Sequence, residues 1–297
     1  VFDLRYHVAS LAAVFLMLVV GILIGVGISG RGFVDDAERD RLNGRIAELQ
    51  EQADAANEDV ADLERRQRAA QEFVEGAYPV LSEARLAGMR FAVIVVGSVD
   101  QKSLEFVEGA IDDDANGRVA RMRAITVPLR LDAVESTLSS HPELAGYVGD
   151  DELGNLGRDL GRELVAGGET PLWDALEGEI VEERKGDFAD PTDGVVVIRS
   201  AEPQAGATSR FLAGLYQGLG STGQPAVGVE PARVEQSSIP VFQRYRLSTV
   251  DGIDRELGQL ALILLLGRAD PGDYGIRDTA DDGILPPIEP PPAPTSG

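Results

Sequence analysis

Phe91-Ala-Val-Ile-Val-Val-Gly97 is an uncharged run closed by a glycine. A continuous apolar stretch of this length fits a strand covered on both faces, as a central strand of a parallel sheet is. Gly194-Val-Val-Val-Ile-Arg-Ser200 has the same character. Between and around these two runs, helical and extended patterns alternate. Ser98 and Asp100 offer caps for a helix over Gln101–Ile111 that turns Leu104, Phe106, Val107 and Ala110 inward. Arg118–Val127 is a second strand. Leu129–Leu176 is mostly helical, broken at His141-Pro142, Gly149 and Gly167-Gly168. Thr208–Leu219 is helical, Ala226–Glu230 is a short strand, Ser237–Thr249 is loop and strand, and Asp254–Leu266 is a closing helix. This order predicts a three-layer α/β domain over residues 82–269, with helices on both faces of a parallel sheet of four or five strands. The apolar part of the closing helix, LALILLL, is too short for a membrane span.

Toward the N-terminus the pattern changes. Val8–Ile28 (VASLAAVFLMLVVGILIGVGI) carries no charge. At about 1.5 Å per residue it matches the roughly 30 Å of a bilayer core. A signal peptide would have a shorter apolar core followed by a small-residue cleavage site, and Ser29-Gly30-Arg31-Gly32 is a poor one. Residues 1–30 therefore read as an uncleaved, single-pass anchor of the cell membrane. Val1 fits a start residue read from an alternative start codon, with little chain expected upstream. Arg5 and His7 before the span nearly balance Arg31 after it, while Asp35, Asp36, Glu38 and Asp40 lie on the far side. The simple orientation is N-terminus cytoplasmic and C-terminal domain extracytoplasmic. Gly21 and Gly25, extended by Ser29, form a small-residue face on which two membrane helices can approach closely.

Residues 31–81 read as a coiled-coil helix. Apolar positions step by four and three: Leu42, Ile46, Leu49, Ala53, Ala56, Val60, Leu63, Gln67, Ala70, Val74, Ala77, Leu81, with Gln67 the one polar member. Asp35 and Glu38 have capping-box spacing, and Gly76 and Pro79 predict the end of the helix. The seam is rich in alanine, and Asp59 would face Glu64 of a partner in a parallel homodimer, which repels. The larger residues, Leu42, Ile46, Leu49, Val60, Leu63 and Val74, are the candidate partner-binding face, for a second copy or another helical protein. A lone amphipathic helix folded against its own domain is the alternative. At the other end, periodicity is lost from Asp270, and the prolines of ILPPIEPPPAPTSG predict an acidic, disordered tail over 270–297.

The net charge of −23 excludes a nucleic-acid-binding role and a polybasic grip on a membrane surface. There is no cysteine, hence no disulfide framework, thiolate metal site or cysteine nucleophile. Two G-x-G-x-x-G strings, Gly25–Gly30 and Gly218–Gly223, stand in the wrong context for dinucleotide binding, which needs a strand before and a helix after. Asp112, Asp114 and Asn116 before Gly117 resemble the first half of a calcium loop, but the twelfth position is Arg123 instead of glutamate; a solvated turn competes with that reading. Ser98 and Ser200 end strands where ligands of open sheets bind, yet neither lies in a G-x-S-x-G elbow, and His141 has no visible acid partner. These features point to a non-enzymatic protein. Copper(I) prefers Cys and Met and copper(II) His; with two His and with Met17, Met89 and Met122 dispersed, no copper-ligand cluster can be read.

Several segments taken together resemble the actinobacterial MctB family: Phe2–Gly25 (FDLRYHVASLAAVFLMLVVGILIG), the coil, FAVIVVG, Ser237–Leu266 (SSIPVFQRYRLSTVDGIDRELGQLALILLL) and Asp273–Pro286 (DYGIRDTADDGILP). The resemblance covers nearly the whole chain. It implies a cell-envelope protein of copper transport or homeostasis, with copper as the implied cargo. It also implies kinship with SteB proteins, which act with the membrane partner SteA in daughter-cell separation and control of peptidoglycan hydrolysis. One span per chain lines no pore without oligomerising, and no run of alternating ten-residue strands suggests an outer-membrane barrel.

Overall fold

A computed structural model describes residues 4–29, 35–98, 100–186, 189–200 and 202–288. The chain divides into two compact units, Val1–Ala70 and Gln71–Gly297.

The described residues of the first unit are helical. Helix α1 (Leu4–Ser29) contains one segment, Ala9–Val26, that is long and apolar enough to cross a membrane. Its large side chains, Leu11 and Phe15 among them, are exposed rather than packed within the chain. Gly21 and Gly25 lie one helical turn apart with open space around them. Arg31, and the side chains of Arg5, His7, Ser29, Asp35 and Asp36 on which orientation and capping were read, fall outside the described residues, as do residues 289–297 of the tail.

Helix α2 (Asp35–Ser82) does not stop at Gly76 or Pro79, contrary to the sequence expectation. Proline removes one helical hydrogen bond, but the last turn is held by other contacts. The Ser82 hydroxyl donates to the Tyr78 carbonyl at 2.8 Å, and the buried Tyr78 donates its phenol to Asp114 at 2.6 Å. The chain turns away at Ala84, which adopts a left-handed φ of 57°.

In the second unit, β1 (Arg90–Val96) leads to α3 (Gln101–Glu108), a wider turn over Gly109–Asp114, and β2 (Arg118–Ile125). Then follow α4 (Leu131–Ser140), a 3-10 turn over Pro142–Tyr147, α5 (Leu153–Ala166), α6 (Pro171–Ala175), α7 (Glu177–Ile180) and β3 (Val181–Gly186). The remainder is β4 (Gly194–Arg199), α8 (Gly206–Gly220), β5 (Ala226–Glu230), α9 (Ile239–Arg244), β6 (Ser248–Asp251), α10 (Glu256–Leu266) and β7 (Asp273–Tyr274).

The strands form one sheet in the order β3-β2-β1-β4-β5-β6-β7. All neighbours are parallel except β2 and β3. The sheet thus has seven strands rather than four or five, because two short edge strands join it. Alternation along β1 divides the core: Ala92, Ile94 and Val96 pack with α4, α5, α8 and α9, while Phe91, Val93 and Val95 pack with α3, α10 and Tyr78. Each fully buried residue of this size contributes about 1.5–3 kcal/mol.

Helices α5 and α8 cross through glycines. A Cβ on Gly161 would lie 2.7 Å from the carbonyl oxygen of Leu215 and 2.9 Å from the amide of Leu219. Gly214 lies against the Gly154 carbonyl, and Gly218 of the second G-x-G-x-x-G string against that of Arg158. These glycines permit close helix packing, and the string serves the core.

The stretch after Asp270 is also structured, in contrast to the tail expected from its composition. Tyr274 is buried, and the Gly275 amide donates to the Gly283 carbonyl at 2.9 Å. Periodicity fails there because the segment is held by polar contacts to sheet ends instead of by an apolar face.

Candidate functional site

Two surfaces stand out. The first is the α2 seam. Leu42, Ile46, Leu49, Val60 and Leu63 are all more than half exposed, from 51% at Ile46 to 66% at Leu63. Val74, in the second unit, is half-buried. A period of 3.5 keeps such residues on one side of a helix. The polar flank is organised within the helix: Asp62 pairs with Arg65 at 3.0 Å and Arg66 at 2.7 Å.

The second surface is the crevice at the carboxyl ends of the strands. From β1 the chain moves to β2 on one side and later to β4 on the other, so the strand order reverses between β1 and β4. In open sheets ligands bind at that switch point. There the two serines singled out from sequence meet, Ser200 donating its hydroxyl to the Ser98 carbonyl. A cleft of about 650 Å³ opens beside them. Asp100 and Ser103, joined at 2.6 Å, line one wall at the start of α3; Arg199 ends β4 and Glu202 follows it, and Arg233 and Glu235 follow β5. Its charges are mixed.

A polar network lies at the ends of β5 and β6. Glu230 is buried; it accepts the Ser237 hydroxyl and the Ser238 amide, each at 2.7 Å, and pairs with Arg277. Asp251, also buried, accepts the amides of Ile276 at 2.8 Å and Arg277 at 3.1 Å. Asp254 accepts the Ala232 amide at 2.6 Å. Gly275, at φ 148°, lies so close to the Asp251 carboxylate that no side chain fits. The segments SSIP, STVDGID and DYGIR are therefore one structure, in which the chain after β6 folds back to satisfy two buried carboxylates.

The other sequence candidates separate. Asp112 accepts the Val119 amide at 2.6 Å, and Asp114 accepts the Tyr78 phenol. Burial raises the Asp112 carboxyl and the Tyr78 phenol above their usual ranges. Asn116 adopts φ 56°, a conformation asparagine tolerates. The three residues shape the turn into β2. Arg123, at the twelfth loop position, is buried in the sheet with its guanidinium 5.6 Å from the Trp173 ring; burial and the neighbouring Arg184 and Arg121 lower it to about 9. His141 contacts the Thr137 carbonyl at 2.9 Å. Met122 is core, Met89 packs at its edge and Met17 is on α1. Among the described residues no group of three His, Cys, Asp or Glu is placed to hold a metal ion.

These features define a doubly wound α/β protein joined to a heptad-patterned helix and to one helix able to cross a membrane. The family model described as "Copper transport outer membrane protein, MctB" matches residues 1–285, and the chain belongs to that family. No curated protein matches it.

Proposed function

We propose that this protein is a single-pass, envelope-facing scaffold that works by recruiting another helical protein rather than by catalysis. In this reading the N-terminus is cytoplasmic, α1 is the anchor, and Leu42, Ile46, Leu49, Val60, Leu63 and Val74 form the docking stripe. Gly21 and Gly25 support association of α1 in the bilayer. The observation that carries the proposal is the exposed apolar stripe of α2. Uncovered leucine and isoleucine at this spacing are stabilised when a second helix covers them. Asp59 and Glu64 disfavour a parallel pairing of two copies, which favours a different chain, such as a SteA-like membrane protein acting in cell separation.

The test is co-purification of the full chain from native membranes, comparing wild type with a Leu49→Asp, Leu63→Asp double variant. The variant should lose its helical partners while its α/β domain unfolds at the same temperature as wild type. Recovery of the same partners by both forms would refute the scaffold.

The family description favours a second reading, copper transport or homeostasis. Copper content measured on the same preparations decides it. Copper retained in stoichiometric amount by both forms would support a copper role independent of the stripe.

A further inference from the structure

A smaller cavity, of about 260 Å³, lies between α8 and α9 beside the end of β4. Its wall includes Tyr216, whose side chain is 1% exposed. The Tyr216 ring meets Phe242 edge-on at 5.5 Å and Tyr245 at 5.7 Å, which fixes its position. The buried hydroxyl at its tip has no hydrogen-bond partner among the described residues. A buried hydroxyl without a partner costs free energy that a bound acceptor would recover.

The charge of the cavity runs against that of the chain. Among the described residues that line it, Arg199 and Arg244 are cationic and none is a carboxylate, in a protein with a net charge of −23. Arg199 donates to the Glu202 carbonyl at 2.9 Å and lines this cavity as well as the larger cleft. Arg244 is exposed at the end of α9. Burial pushes the Tyr216 phenol up to about 12, so it keeps its proton at neutral pH. Gln204 and Ser209 add neutral polar groups, and Pro203, Leu212, Ala213 and Val241 form an apolar wall. The volume lies just below the range of sites for drug-sized ligands.

We propose that this cavity binds a small organic carboxylate, its oxygens held by Arg199 and Arg244 and one of them accepting the Tyr216 O–H. The apolar wall takes the carbon body, which sets an organic carboxylate apart from inorganic phosphate. The proposal is independent of the docking stripe on α2.

The test titrates the full chain in detergent micelles with acetate, propionate, benzoate and, for comparison, inorganic phosphate, reading heat of binding and the thermal midpoint. At least one carboxylate should bind saturably and raise the midpoint, with phosphate weaker. Arg244→Gln should weaken that binding about tenfold or more, the effect of losing one charge-assisted hydrogen bond. Tyr216→Phe should weaken it too, while raising the midpoint of the unliganded protein, because it keeps the ring and removes the unpaired group. A purely structural hydroxyl would give the opposite shift. Saturation by none of the three carboxylates overturns the proposal. So does equal or tighter binding of phosphate, or unchanged affinity in both variants.

Discussion

The crossing of α5 and α8 makes a graded prediction. In Gly161→Ala the new methyl would sit 2.7 Å from the Leu215 carbonyl oxygen. Ordinary carbon–oxygen contacts are about 3.3 Å or longer, so the helices must part by roughly half an ångström. The obstacle is backbone, which no rotamer change relieves. Overpacking of this kind costs about 1–3 kcal/mol, and alanine regains about 1 kcal/mol of helix propensity over glycine. The net loss is about 1 kcal/mol, or about 2–4 °C in Tm for a domain of this size. Gly214→Ala, whose methyl would overlap the Gly154 carbonyl outright, should lose clearly more. Gly109→Ala, helical at φ −57° with open space around it, should raise Tm. Calorimetry of the full chain in detergent reads all three. Gly161→Ala and Gly214→Ala both melting at or above wild type would show that the close crossing does not constrain the domain.

Arg277→Ala leaves Glu230 buried without its counter-charge and should cost about 3 kcal/mol; adding Glu230→Gln should restore part of the loss, which urea unfolding of single and double variants measures. Burial raises the Glu163 carboxyl to about 7, against about 4.3 for an unfolded glutamate. The folded state holds this proton between those values, so the stability it gives is full below pH of about 4 and is lost as pH rises through 7. Wild type should therefore lose Tm relative to Glu163→Gln over that window, and parallel curves would contradict the assignment. Tyr78→Phe removes the tie to Asp114 and should cost about 1 kcal/mol by the same urea assay; an unchanged midpoint would show that the last turn of α2 is held by packing alone.

The central strands were legible because burial on both faces removes polar residues from them, as in Phe91–Gly97 and Gly194–Ser200. Edge strands escape that rule. Val181–Gly186 reads VEERKG, since only one side is paired and its residues are largely in contact with solvent. Helix α9 was hidden by Pro240, which is tolerated in a first turn but reads as a break. At Pro79 the same rule misplaced the end of α2, where tertiary contacts from Tyr78 and Ser82 outweigh one lost hydrogen bond. Helical glycines read as weak points in sequence, and only the facing helix shows what Gly161 and Gly214 permit. The stripe on α2 was fully visible, because its period needs no tertiary information. The α8–α9 cavity was invisible: Arg199, Tyr216 and Arg244 lie on different elements with no common spacing.

The return of residues 276 and 277 to Glu230 and Asp251 sets an order for biogenesis. A chain still emerging from the ribosome has made every central strand before these residues appear, yet Asp251 then lacks the amides of Ile276 and Arg277 and Glu230 lacks its Arg277 counter-charge. A chain lacking Ile276 and Arg277 would bury the Asp251 carboxylate without the two amides that satisfy it, so the ends of β5 and β6 are completed by residues that follow the whole sheet in sequence.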